Sequence, residues 1–180
     1  MQEYLSVAQI SGYIALVIYI AAYAFKSDNV MKVTFSISNV LWVVHYYLIG
    51  AHTAALTTLI ITLRNVLSLN SDNLPEHKKK VMAAIFAVIL LIAGIITWAG
   101  LVSIIPVSAT IAATYMMFYL KGVKLRQAFW VLDAGWLLHA ILVGSVSGGI
   151  YAVGSLLVNG YTIVKMMREE KDSGADASIT

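Results

Sequence analysis

The chain has 180 residues, of which 60% are hydrophobic and 12% charged, with a mean hydropathy of +0.83 and a formal net charge of +3. That is a membrane composition, and the apolar runs take up nearly the whole length, leaving no soluble domain of useful size. The cations flank apolar runs as they do in bilayer proteins, which argues against a nucleic-acid partner; the absence of cysteine excludes disulfides, thiolate metal sites and thiol nucleophiles.

A helix rising about 1.5 Å per residue needs about 20 residues to cross a roughly 30 Å hydrocarbon core. In chain order, seven segments reach that length, at about 4–24, 30–49, 52–70, 81–98, 100–120, 125–144 and 147–167. The first follows Met1-Gln2-Glu3-Tyr4 directly, with neither a basic leader nor a cleavage site, and reads as a retained helix. Lys26-Ser27-Asp28-Asn29 separates the first two segments. Ser71 to Glu76 follows the third, and Pro75 suits the first turn of the fourth, where a missing N–H costs least. Past Arg168 the sequence turns polar and small, which predicts a disordered tail over 169–180.

The cations give the direction. With the amino terminus outside, Lys26, Lys32, Lys78 to Lys80, Lys121, Lys124, Arg126, Lys165, Arg168 and Lys171 all fall on the cytoplasmic side, and Arg64 can snorkel to that surface. The connections near 50–53, 98–101 and 145–148 contain no Lys or Arg. Seven crossings then leave the carboxyl terminus in the cytoplasm.

The chain also repeats itself. Trp42, His45 and Gly50 recur 94 residues later as Trp136, His139 and Gly144, and the same offset relates Phe35 to Phe129, Asn39 to Asp133, Lys32 to Arg126 and Asn65 to Asn159. Trp and His are scarce, so their coincidence in register points to an internal duplication. The expected architecture is an all-α membrane protein in which residues 1–70 and 100–168 form two parallel three-helix bundles. A basic loop and linker helix over 71–99 restores the direction of the second bundle. Parallel repeats of this kind pack about an axis along the membrane normal, with a ligand site between them. Gly12 aligns with Pro106, which predicts a bend, or hinge, in each copy.

The polar residues on these helices are the candidate site. Asp133 lies near the centre of the sixth segment, where a carboxylate is costly and marks function by default; its counterpart Asn39 cannot take up a proton. Asp133 is the candidate proton carrier, or else packing glue between helices. Asn39, Trp42 and His45 follow one stripe of the second segment, as Asp133, Trp136 and His139 do on the sixth. Indoles stack on ring faces and imidazoles bind or relay protons; alternatively the tryptophans form an interfacial belt and the histidines join helices. Asn65 and Asn159 make a candidate substrate clamp or a pair of helix contacts.

Catalytic readings find little support. Gly144-Ser145-Val146-Ser147-Gly148 near His139 is no nucleophile elbow, and the four histidines form no local metal motif. The chain is expected to be neither an enzyme nor a carrier of cofactor or metal. Its expected partners are the lipid bilayer, a small polar solute and protons as a coupling ion, and a homo-oligomer is compatible with this reading.

The segment Val40 to Gly50, followed by Arg64-Asn65, resembles the YgjV-type family of small bacterial inner-membrane proteins over most of residues 1–168. The triplet, linker, triplet plan also resembles the SWEET, PQ-loop and NMN-transporter group. That resemblance implies a central site for a small polar solute, with Asn65 and Asn159 matching the paired asparagines of the sugar site and Trp42 and Trp136 its aromatic walls. The chain departs from that group in having no Pro-Gln pair and in carrying Asp133 and two histidines. The function expected is solute transport by alternating access; the alternative is a non-transporting receptor or assembly scaffold.

Overall fold

A computed structural model describes residues 7–50, 52–98, 100–142, 144 and 146–176. The expected beginning of the first span at residues 4–6, Ser145 and the tail residues 177–180 lie outside the described residues. Seven α-helices are described: α1 (Val7–Ala22), α2 (Asp28–Leu48), α3 (His52–Ser68), α4 (Glu76–Ile96), α5 (Ile104–Tyr119), α6 (Gly122–Leu142) and α7 (Val146–Asp176). Short 3-10 turns at Ser71–Asn73 and Leu101–Ser103 lead into α4 and α5. Three stretches, Glu76–Ile96, Leu101–Tyr119 and Gly148–Asp172, are both long and apolar enough to cross a bilayer.

The distribution of polarity is inverted relative to a soluble protein. Side chains such as Val17, Leu56, Ile96 and Leu157 are exposed along the outside, while Asn39, Arg64, Asn65, Arg126, Asp133 and Asn159 are buried. Apolar surface on this scale is stable only against lipid or a partner.

Helix α2 packs between α1 and α3, and α6 packs on both α5 and α7. Contacts of α1 with α7 and of α3 with α5 close these six helices into a ring. Helix α4 stands outside, against α5 and more lightly against α3. Its approach to α5 depends on Gly94, since a Cβ there would lie 2.5 Å from Val107 Cγ2 and 3.0 Å from Cγ1. A β-branched valine has few rotamers with which to yield. Gly94→Ala is expected to lower stability by about 1–3 kcal/mol through overpacking, measured as a reduced melting midpoint in detergent; an unchanged midpoint would show that α4 is free to move away.

Positions related by the 94-residue offset share local structure. Gly50 and Gly144 end α2 and α6 with left-handed φ of 78° and 69°, and the amide of each donates to the carbonyl three residues earlier, Tyr47 at 3.1 Å and Ile141 at 3.2 Å. Only glycine takes that conformation without a Cβ clash. Phe35 and Phe129 touch across the ring, their centroids 5.9 Å apart, inside an apolar cluster that also holds Tyr23, Met31, Met117 and Leu125. This cluster lies at the end of the ring where the connections carry the lysines.

Lys32 and Arg126, expected at the cytoplasmic surface, are buried beside that cluster. Each answers its desolvation by binding backbone carbonyls: Lys32 Nζ donates to Met117 O (2.7 Å) near the end of α5 and to Ser68 O (3.2 Å) at the end of α3. Arg126 donates to Phe25 O (2.5 Å) and Lys26 O (2.8 Å) just after α1, and to Asp28 Oδ1 (2.5 Å). At the ends of α3 and α5 the Lys32 ammonium satisfies terminal acceptors and the helix dipole together, whereas Arg126 holds the connection between α1 and α2.

Beyond Arg168 the expectation of a disordered tail is corrected, since α7 continues to Asp176. Glu169, Glu170 and Lys171 are good helix formers, and Glu169 pairs with Lys26 at 2.5 Å. Both partners are largely exposed, so the pair itself adds little. Gly12 and Pro106 break neither helix. Gly12 stands inside an uninterrupted α1, and Pro106 is the third residue of α5, within the first turn, where no intrahelical bond is lost.

Candidate functional site

The ring encloses a cavity of about 570 Å³, in the range of small-molecule sites. Its wall is drawn from α1, α2, α3, α5, α6 and α7, with no residue from α4. The apolar cluster of Phe35, Phe129 and Met117 floors it at the lysine-rich end. Gln9, Tyr13, His45 and Tyr46 line it toward the opposite end.

Of the residues singled out by the sequence, Asn39, Trp42, His45, Asn65, Asp133, Trp136 and Gly12 line this cavity. Trp42 stacks on Tyr46, centroids 5.4 Å apart at 22°, and meets His45 edge-on at 82°. Trp136 meets His139 in the same edge-on way, at 88°. Here the correspondence of the two copies ends. His139 is not on the wall, and Asn159 faces elsewhere, its amide donating to Arg126 O at 2.9 Å and so joining α7 to α6. The expected clamp of two asparagines is therefore replaced by Asn65 alone. Pro106 is also absent from the wall.

His45 is held by its own contacts. Its Nδ1 lies 2.7 Å from Ala8 O, and its ring occupies the space a Cβ on Gly12 would fill, 2.8 Å from Nδ1 and 3.0 Å from Cε1. Gly12 is thus the recess that lets an imidazole lie between α1 and α2. Gly12→Ala is expected to displace the ring and break the Ala8 contact at a cost of about 1–3 kcal/mol. Melting of the variant checks the cost, and Gly12→Ala combined with His45→Ala should recover most of it if the ring is the obstacle.

Asp133, near the middle of α6, is buried. It makes no ion pair among the described residues. The Tyr23 hydroxyl faces its carboxyl, yet neither Tyr23 Oη nor Asp133 Oδ2 closes a hydrogen bond. Tyr19 and Tyr151 stand beside it on the wall, ring centroids 5.3 Å apart. The acid thus sits among phenolic hydroxyls rather than cations.

The sequence reading missed Arg64. Snorkelling would have put its guanidinium in the headgroups, but it is only 3% exposed and turns onto the cavity wall. It donates to Asn65 Oδ1 from Nε (3.2 Å) and Nη2 (2.8 Å), and from Nη1 to Thr110 O and Thr114 Oγ1, both at 3.2 Å. All these acceptors are neutral. The available signal was its place inside the α3 run Leu59 to Val66, next to an amide that could hold it. Tyr19, Tyr46 and Tyr151 were also missed, since tyrosine in an apolar helix carries no signal in one sequence.

These features define an integral membrane protein of helices around an internal cavity whose largely apolar wall carries a few buried polar and charged groups. The chain belongs to the Imp-YgjV family of bacterial inner membrane proteins, whose match covers residues 6–170. It is similar to the inner membrane protein YgjV of Escherichia coli (strain K12), with 27% identity over 164 residues that span 91% of this chain and 86% of that protein. No solved structure matches the chain significantly.

Proposed function

We propose that this protein moves a small polar solute across the inner membrane by alternating access between two homologous three-helix bundles, α1 to α3 and α5 to α7, with α4 as their linker. The observation that carries the reading is the composition of the cavity wall, drawn from all six bundle helices and none from α4. Four pairs of wall positions are related by the 94-residue offset: Leu16 and Thr110, Tyr19 and Ala113, Asn39 and Asp133, Trp42 and Trp136. The two seams of the ring correspond in the same way, because α1 against α7 becomes α5 against α3. So do the buried cations, Lys32 of the first bundle binding a carbonyl near the end of α5 and Arg126 of the second binding carbonyls in the connection after α1. This is the pattern of parallel repeats about an axis along the membrane normal, with the site between them, and it resembles the plan of the SWEET and PQ-loop transporters.

With the amino terminus outside, the lysine-rich connections face the cytoplasm. The apolar floor and the two buried cations then close the inner side, and the cavity faces outward. Rocking the bundles would separate Phe35 from Phe129 and open the inner side. Because the chain has no cysteine, single cysteines report this directly. Tyr46→Cys on the wall is expected to react with an impermeant maleimide added outside intact cells, whereas Met31→Cys in the floor reacts only when the inner side opens. Reconstituted protein should also carry labelled solute from a metabolite extract into liposomes. If no component enters while a ligand still raises the melting midpoint, the receptor reading replaces this one.

A further inference from the structure

The cavity wall carries one cation and one carboxylate, and they do not neutralise each other. Arg64 and Asp133 form no ion pair, and among the described residues Arg64 pairs with no carboxylate. Neither has a charged counterpart in the other copy, the offset placing Val158 opposite Arg64 and Asn39 opposite Asp133. A guanidinium withdrawn from water and bonded only to neutral groups keeps an uncompensated charge, an expensive arrangement that a bound anion would relieve. Its orientation is also fixed beforehand: Asn65 Oδ1 takes the Nε and Nη2 side, while Thr110 and Thr114 take Nη1. Those four bonds engage four of the five N–H groups of the fork.

We infer that the solute taken by this cavity is a small organic anion whose carboxylate or phosphate oxygens bind the Arg64 guanidinium, with its apolar body against Trp42 and Trp136. Asn65 is the positioning residue that aims the fork. With four of its five N–H groups engaged, the fork keeps one N–H, on Nη2, for an anion oxygen, and arginine suits the role better than lysine because its charge persists on burial. The inference rests on the reading of the cavity as a solute site, and adds the charge of what enters it.

The test uses full-length protein in detergent and compares benzoate, phenyl phosphate and neutral benzyl alcohol by quenching of tryptophan fluorescence. Benzoate or phenyl phosphate is expected to bind at least 10-fold more tightly than benzyl alcohol, and whichever of the two is tighter identifies the oxyanion. Arg64→Gln should remove the preference and Arg64→Lys should keep part of it. Because Arg64 also ties α3 to α5, a second measurement uses the unaltered protein: inorganic phosphate or acetate should displace bound benzoate where glucose does not. Equal affinity for the charged and neutral probes, no saturable response to either anion, or a folded Arg64→Gln protein that retains the preference would each overturn the inference. Liposomes separate the two readings. Flux of a neutral solute without anion binding sinks the anion site and leaves transport standing, while anion binding without any flux does the reverse.

Discussion

Replacing Arg126 by alanine is expected to lower stability by about 3–5 kcal/mol, the loss typical when one member of a buried, hydrogen-bonded charge pair is removed. Arg126 is fully buried, and its guanidinium binds Asp28 Oδ1, Phe25 O, Lys26 O and, at 3.2 Å, Gly122 O of its own helix. Truncation leaves the Asp28 carboxylate with the Gly122 amide at 2.7 Å and strips the carbonyls after α1 of their donor. Arg126→Lys should recover part of the loss, since Lys32 holds two carbonyls at the corresponding position but a single nitrogen cannot reproduce the fork. Melting in detergent measures the stability of all three proteins. A midpoint for Arg126→Ala equal to that of the unaltered protein would mean that water or lipid replaces these bonds and that the packing at the lysine-rich end does not depend on them.

Asp133→Asn is expected to remove the pH dependence of uptake while leaving the protein folded. Asparagine has the shape of aspartate, is already present at the corresponding Asn39, and breaks no ion pair, because Asp133 makes none among the described residues. What it removes is the proton site. If the carboxyl takes up a proton on one side and releases it on the other, a pH gradient should drive uptake at least about 10-fold faster through the unaltered protein than through the variant, a difference of about 1.4 kcal/mol. Solute exchange at equal pH should be kept. Identical pH profiles for the two proteins would remove Asp133 from coupling and return it to the role of a helix contact.

The helices and their order were legible because each is a predominantly apolar stretch bounded by polar or glycine punctuation, and the repeat was legible through its rare residues. Trp42, Trp136, Asn39 and Asp133 face the cavity because residues three apart share a helical face, a relation readable from spacing alone. The assignment of Asn159 and His139 to the same site went astray because a register repeat relates positions along the chain without fixing which way each helix is rotated against its neighbours. Asn159 instead donates to the Arg126 carbonyl. Arg64, Lys32 and Arg126 were misread for a related reason: near a helix end, the surface and the interior are equally reachable for a long cationic side chain, and the choice depends on whether carbonyls or amides of other helices await it.

The amino-acid sequence by itself determined that this is a helical membrane protein, where its helices lie and which positions correspond between its halves, since these follow from local hydropathy and from residue identities along one chain. Tertiary structure alone decided that a guanidinium and a carboxylate share the cavity wall unpaired, and that Asn39 and Asn65 reach this wall while Asn159 and His139 do not. Those outcomes depend on contacts between residues scores of positions apart, and the free energy of such contacts is set by the relative placement of packed helices, which no single segment encodes.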